Sequence, residues 1–274
     1  MPDPAKPDSS SMTALNRWNL WLLAGVALII GGALVVFPDR TDRYFAWTIK
    51  APIAAATLGA WFLVLAAFTL SLSRRSRGAV QPALLTIAVG AALMLLTTII
   101  HRAAFNWGSP VAWIWLALYL CGPPLYFALG LRPGLPSARQ QTTAPHATTA
   151  RTLLACIGLL YGAVAALLFV WPSLLIPVWP WPLLALGART YSAFLLGHAL
   201  WMWRVSRSDS RDLREMPLHY LGIFPLVALA APFLHRDAFR ATSPGGATFL
   251  VVLGLTVVVT PWLARSLRGP AGET

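Results

Sequence analysis

The side chains best suited to chemistry lie in two similar segments of the chain. Residues 101–110 read HRAAFNWGSP and residues 235–244 read HRDAFRATSP, so six of ten positions are identical at a spacing of 134 residues. Each segment begins with a histidine, which can change charge near neutral pH, and an arginine, which can bind a phosphate or carboxylate through paired hydrogen bonds. His101, Arg102, His235 and Arg236 are therefore candidate ligands for an anion.

A third charged stretch, FPDRTDRYFAW, contains Asp39, Arg40, Asp42 and Arg43. If it lies on the same side of the membrane as the two similar segments, its side chains would complete the anion site. The alternative is a short amphipathic helix at the membrane interface, with ion pairs between residues three or four apart. Both interpretations remain open at the level of the sequence.

Arg189 is the one charged residue that falls well inside a predicted membrane span, since Arg265 is the last residue of its span. It follows the start of an apolar run by about seven residues, which is roughly 10 Å of helix. A charge at that depth is costly and is therefore a candidate functional residue. No acidic residue is predicted at the same depth, so its partners would be backbone carbonyls or an anionic ligand. Alternatively, the span starts later, or the side chain extends to the interface.

The composition indicates a membrane protein. The chain is 57% hydrophobic and 11% charged, with a mean hydropathy of +0.65, whereas soluble domains carry about a quarter charged residues. The net charge of +12 lies in short loops between apolar runs, which favours the lipid bilayer as partner and argues against nucleic acid. Cys121 and Cys156 lie within apolar runs without metal-ligand spacing, and no cofactor is indicated.

Apolar runs near the length that about 30 Å of hydrocarbon demands predict eight membrane spans. They cover residues 18–37, 52–73, 80–100, 110–131, 152–171, 182–203, 217–234 and 247–265. The termini and the loops on their side hold fourteen of the 21 basic residues. The positive-inside rule therefore predicts a multi-pass protein of the cytoplasmic membrane, with both termini in the cytoplasm.

The repeated segments predict a tandem duplication. Each would join the third and fourth span of one half, and the same offset aligns VVFP at the end of the first span with FVWP at the end of the fifth. Four spans per half keep both halves in one orientation, with a pseudo-two-fold axis along the membrane normal. The predicted organisation is a disordered tail (1–17), a first four-helix repeat (18–131), a cytoplasmic linker (132–151), a second four-helix repeat (152–266) and a tail (267–274).

The two segments also have a purely structural interpretation. Ser109-Pro110 and Ser243-Pro244 are good helix starts, because serine caps the first amides and proline fits the first turn. A His-Arg pair at the end of the preceding span complements the negative end of the helix dipole. By this interpretation each segment ends one helix, turns and starts the next.

The sequence contains no enzyme signature. All nine acidic residues fall outside the predicted spans, and HExxH, GxSxG, Walker A and GxGxxG motifs do not occur. We therefore expect an all-α transporter or permease-like protein with an outward-facing basic site for a small anionic molecule or a lipid head group. The alternatives are a non-transporting accessory or assembly subunit of a membrane complex, or a membrane-embedded enzyme.

The stretch FPDRTDRYFAWTI, followed by a helix containing LGA, resembles a segment of uncharacterised multi-pass membrane proteins from actinobacteria. The resemblance covers residues 37–60. It implies a bacterial membrane protein and carries no activity with it.

Overall fold

The computed structural model describes residues 14–131, 145–208 and 228–268 of the chain. Within those ranges the chain is helical and contains no β-strand. Its seven long helices are α1 (Ala14–Val36), α2 (Pro52–Leu72), α3 (Arg77–Ile100), α4 (Pro110–Gly130), α5 (Pro145–Val170), α6 (Ala185–Ser206) and α7 (Pro244–Arg268). Residues 228–234 form a further helical stretch before α7.

Six of these helices, α1 to α5 and α7, are long and apolar enough to cross a bilayer. They coincide with six of the eight predicted spans, so the prediction of an all-α membrane protein is confirmed at that level. The sixth predicted span is also a helix, α6, but Arg189 and His198 make it too polar to join the group. Most of the seventh, 217–234, lies outside the described residues.

Two helices begin earlier than the hydropathy pattern predicts. α1 starts at Ala14, within the predicted tail, and α5 starts at Pro145, within the predicted linker. Both extensions are polar, and hydropathy marks only the part of a helix that lies in hydrocarbon. The rest of the linker, 132–144, is outside the described residues.

Helix α2 lies at the centre of the packing, and α1 packs closely along it. A Cβ atom added to Gly59 would lie 2.8 Å from the carbonyl oxygen of Gly31, and one added to Gly31 would lie 2.9 Å from that of Gly59. Small residues at such crossings let membrane helices approach closely enough for dispersion contacts along the backbone. The α1–α2 pair therefore depends on both glycines.

Helix α6 contacts helices from both the earlier and the later part of the chain. It packs against α5, where Gly158 lies close to the Ala199 carbonyl, and against α3. Its Tyr191 hydroxyl donates a hydrogen bond of 2.7 Å to the carbonyl of Ala54 in α2. A polar helix is thus enclosed by protein rather than lipid, which removes most of the cost of its polar side chains.

The two similar segments form turns that we call the first corner (101–109) and the second corner (235–243). The Asn106 amide donates to the Ala46 carbonyl at 2.9 Å, and the Arg240 amide donates to the Pro180 carbonyl at 2.8 Å. Both donors and both acceptors are 134 residues apart. Each corner is therefore tied by the same backbone bond to the segment that follows α1 or α5.

Each corner also starts its helix as the sequence predicts. The Ser109 hydroxyl accepts a hydrogen bond of 3.3 Å from the Val111 amide, and the Ser243 hydroxyl accepts one of 3.1 Å from the Gly246 amide. α4 and α7 begin at the proline that follows each serine. The predicted Ser-Pro helix starts are confirmed.

Aromatic rings under the two corners follow the same offset. Trp47 meets Trp115 edge-on, with centroids 5.0 Å apart and planes at 85°, and Trp181 meets Phe249 edge-on at 5.2 Å and 90°. The phenylalanines of the corners lie beside the same rings, Phe105 by Trp47 at 5.0 Å and Phe239 by Trp181 at 6.4 Å. Edge-to-face packing of this kind is favourable beyond the area that it buries.

The glycines of α1 provide a matched test of the α1–α2 contact. Gly31→Leu places a Cβ atom against the backbone of α2, whereas a Cβ atom added at Gly32 meets no atom within 4 Å. We expect Gly31→Leu to destabilise the protein by about 1–3 kcal/mol, as overpacking does. Both changes raise helix propensity equally, so Gly32→Leu controls for that effect. Thermal unfolding in detergent measures both, and equal melting temperatures would contradict the contact.

Candidate functional site

Arg189 and His101, which the sequence singled out separately, are in direct contact. Arg189 Nη1 lies 2.8 Å from His101 Nε2, and Arg189 Nε donates to the Phe169 carbonyl at 2.9 Å. The Phe169 ring also lies 6.0 Å from the guanidinium carbon, at the outer limit of a cation–π contact. The contact joins residues 88 positions apart in the sequence, which no local pattern indicates.

The ends of two helices explain why a guanidinium is accepted here. Phe169 lies in the last turn of α5, where carbonyls lack an intrahelical donor, and His101 caps the end of α3. Both helix ends carry the negative pole of the helix dipole, which stabilises a nearby cation. Of the partners expected for Arg189, the backbone carbonyl is confirmed. Arg189 is the fifth residue of α6, which begins at Ala185, so it lies about 6 Å from the start of the helix.

The hydrogen bond fixes the protonation state of His101. A guanidinium has only donors, so His101 Nε2 must be the acceptor and must carry no proton. Burial lowers the pKa of His101, and the positive charge of Arg189 lowers it further. His101 is therefore neutral at neutral pH, with its ring proton on Nδ1.

His101 also lines a cavity of about 760 Å³. The cavity lies between the start of α2, the end of α3, the segment that connects α5 to α6, and the first turns of α6. Its charged lining residues are Lys50 and Arg240, both exposed, and its remaining walls are mainly apolar. None of the described residues that line it is an aspartate or glutamate.

The cavity brings together residues of both corners. His101 and Ala104 come from the first corner, and Arg240 comes from the second. Sequence analysis missed Lys50 and Arg240. The available signal was positional, because Arg240 occupies in the second corner the place that Asn106 occupies in the first, and Lys50 directly precedes the start of α2.

The predicted pairing of the two His-Arg motifs in one site is not seen. The side chains of Arg102, His235 and Arg236 do not line the cavity, and Arg102 and Arg236 are exposed. Within the described ranges, His235 makes only backbone hydrogen bonds, to Ala231 and Ala238. For these three residues the structural interpretation, the end of one helix and the turn to the next, accounts for every contact.

The stretch with Asp39, Arg40, Asp42 and Arg43 forms a 3-10 helix (Pro38–Arg40) and a short α-helix (Thr41–Tyr44) after α1, and likewise lies outside the cavity lining. Its ion pair, Arg40 with Asp39 at 3.8 Å, joins exposed neighbours rather than residues three or four apart. The Tyr44 hydroxyl lies 2.8 Å from the carbonyl oxygen of Phe37 and 3.0 Å from that of Ala33. Burial and the charge of Asp39 raise the pKa of Tyr44 to about 12, so it remains a donor that closes the end of α1.

A separate apolar groove of about 160 Å³ lies among α1 to α4 and α6. His198 is part of its wall, with Nδ1 2.7 Å from the Phe194 carbonyl and its ring edge-on to Trp61 at 4.6 Å. A histidine held by its own helix and an aromatic ring is a packed residue. This groove contains none of the candidate charges.

The contact between Arg189 and His101 predicts a change in titration. Arg189→Met keeps the length of the side chain but removes its charge, so the pKa of His101 should rise. NMR of histidine-labelled protein in detergent measures it, with His101→Gln identifying the resonance. Arg102→Met removes an exposed charge from the adjacent residue and should leave the titration of His101 unchanged. Equal titration curves in wild type and Arg189→Met would rule out the contact.

Comparison with protein-family models, with curated proteins and with solved structures finds no match to this chain. What the chain can bind therefore follows from the site itself. That site is a cavity with two cations on its lining, a neutral histidine in its wall and a guanidinium bonded to that histidine.

Proposed function

We propose that the chain is a membrane transport protein of permease type, and that the cavity binds a small anionic or lipidic ligand. The observation that carries this proposal is the lining: Lys50, Arg240 and His101 line about 760 Å³ without a carboxylate among the described residues. Ligand pockets of small molecules have volumes of roughly 300–1,000 Å³ and a few polar groups in a mostly apolar wall.

The charges favour an anion over a cation or a neutral ligand. Lys50 offers a compact charge and Arg240 a planar fork that matches carboxylate and phosphate oxygens. Because carboxylates are missing from the described lining, an anion entering the cavity meets attraction without repulsion. Apolar walls such as Trp47 and Ile49 would accept a hydrocarbon part of the same ligand.

We further infer that the chain is a tandem duplication of a four-helix unit with eight spans in total. The matched backbone bonds of Asn106 and Arg240 and the matched rings around Trp47 and Trp181 support this inference, because all of them obey one offset of 134 residues. In transporters built from repeats, the substrate site lies at the interface between the repeats. The lining of the cavity by residues of both corners supports the same position for the proposed site.

Uptake into proteoliposomes tests the proposed function. Vesicles would be given a mixture of octanesulfonate, octanoate, glycerol phosphate and inorganic phosphate, and their contents would be quantified by mass spectrometry. A fluorescent phosphatidylglycerol, quenched from outside with dithionite, serves as the lipidic substrate. We expect at least one of these anions to cross faster than in protein-free vesicles, and Lys50→Gln/Arg240→Gln to slow it at least tenfold, since each paired charge contributes roughly 1.5–3 kcal/mol.

The control double variant is Arg43→Gln/Arg236→Gln. It removes the same net charge from exposed positions that do not line the cavity, and it should transport like the wild type. Equal loss of transport in both double variants would mean that surface charge, not the cavity, attracts the anion. Passage of none of the probes in the wild type would refute transport of these anions.

The duplication predicts that both corners lie on the outer side of the membrane, with both termini in the cytoplasm. Gly108→Cys and Thr242→Cys, each in a Cys121→Ala/Cys156→Ala background, place one thiol at matched, exposed positions of the two corners. A membrane-impermeant maleimide should label both in intact cells. Arg74→Cys, in the turn at the other end of the bundle, should react only after permeabilisation. Labelling of one corner without the other would contradict the parallel repeat.

A further inference from the structure

We propose that anion binding in the cavity is coupled to protonation of His101, so that one proton is taken up with each anion. This inference rests on the proposed function of the cavity. It adds that a histidine and an arginine together act as the proton-linked element, in a chain whose acidic residues all lie outside the predicted spans.

In the structure, His101 and Arg189 are joined by a hydrogen bond. Nε2 of His101 accepts from Nη1 of Arg189 at 2.8 Å, while Arg189 Nε is held by the Phe169 carbonyl. The imidazole has one face on the cavity, and its only acceptor nitrogen is occupied by the guanidinium. An anion therefore finds no donor at Nε2.

Protonation from water reverses this arrangement. Once Nε2 carries a proton it can no longer accept, and an imidazolium then faces a guanidinium at 2.8 Å, which is repulsive. An oxyanion between the two relieves the repulsion, because it accepts the new N–H of His101 and the Nη1–H that Arg189 releases. The proton and the anion therefore stabilise each other's binding, and each is disfavoured alone.

The charges that face His101 on the described part of the chain all favour this coupling. Arg189 approaches from α6, Lys50 lies before α2, and Arg240 is in the second corner. The other titratable group in the lining is Tyr191, whose hydroxyl is bonded to the Ala54 carbonyl. Of these, the charge of Arg189 lowers the pKa of His101 in the empty cavity, and a bound anion offsets that charge. His101 is the lining group that titrates nearest to neutral pH.

Linkage gives the sign and size of the effect. If His101 is neutral in the empty cavity and protonated in the complex, anion affinity must rise as pH falls, by up to about tenfold per pH unit. The ligand class is a single oxyanion group, carboxylate, sulfonate or phosphate. One proton per monoanion also makes the combined movement electroneutral, so a membrane potential would neither drive nor oppose it.

The experiment measures octanesulfonate binding to the full-length protein in phosphatidylcholine nanodiscs, by isothermal titration calorimetry between about pH 8 and about pH 5.5. A sulfonate keeps its charge across this range, so any pH dependence belongs to the protein. We expect the Kd to fall as pH falls, by up to about tenfold per unit. In weakly buffered solution, a pH indicator should report net proton uptake approaching one proton per bound anion.

His101→Gln separates the proton from the hydrogen bond. The glutamine carbonyl still accepts from Arg189 but does not titrate, so binding should persist with a flat pH profile. His235→Gln is the matched control. His235 occupies the same position in the second corner as His101 does in the first, but it does not line the cavity. It should keep the wild-type slope. If His101→Gln fails to fold, the proton uptake of the wild type still decides the question.

The outcomes separate this inference from the proposed function. Binding by the wild type with a flat pH profile and no proton uptake would overturn the coupling and leave the anion site standing. The same slope in His101→Gln as in wild type would assign the proton to another group and also overturn it. Absence of octanesulfonate binding at every pH would overturn the coupling, and the proposed function would also fall if none of the other anions crossed the proteoliposome membrane. If phosphatidylglycerol in the nanodiscs competes with octanesulfonate, the natural anion is a lipid head group, and if it does not, the anion is soluble. With either result, a pH dependence of the Kd that is lost in His101→Gln supports the coupling.

Discussion

The guanidinium of Arg189 is the constraint around which this end of the bundle is arranged. Half-buried and without a carboxylate partner among the described residues, it needs acceptors from the backbone or from neutral side chains. It finds them at the ends of α5 and α3, through the Phe169 carbonyl and His101. One side chain thereby sets the start of α6 against two other helices and fixes the tautomer of His101, which lines the cavity.

The two corners share their backbone and aromatic contacts but differ in the charged residues around them. Backbone bonds and aromatic rings around the two corners match at one offset, so these contacts serve to hold the corners in place. Arginines lie at positions where the aligned segments differ in sequence. Arg240 stands where the first corner has Asn106, and when TLGAW is aligned with ALGAR, Arg189 stands where the first half has the buried Trp61. Of the two His-Arg pairs, only His101 lines the cavity.

Features that depend on neighbouring residues were predictable from the sequence, and features that depend on packing between distant helices were not. Hydropathy located six helices and the Ser-Pro pairs located the starts of α4 and α7, because membrane length and helix capping act over a few residues. That Arg189 would need a carbonyl followed from the shortage of acidic residues. That its second partner is His101 rather than His235, and that Lys50 and Arg240 line the cavity, follows from how α3, α5 and α6 cross.

For the proposed anion site, a neutral histidine is a better partner for Arg189 than a carboxylate would be. A carboxylate would hold the guanidinium equally well but would cancel its charge and repel the ligand. His101 holds the guanidinium by a hydrogen bond while leaving its positive charge available, and the helix ends of α3 and α5 reduce the cost of that charge when the cavity is empty. The helix dipoles thus stabilise the charge of Arg189 without competing with an anion. His101 lies beside that charge and can gain a proton only by losing its hydrogen bond to Arg189.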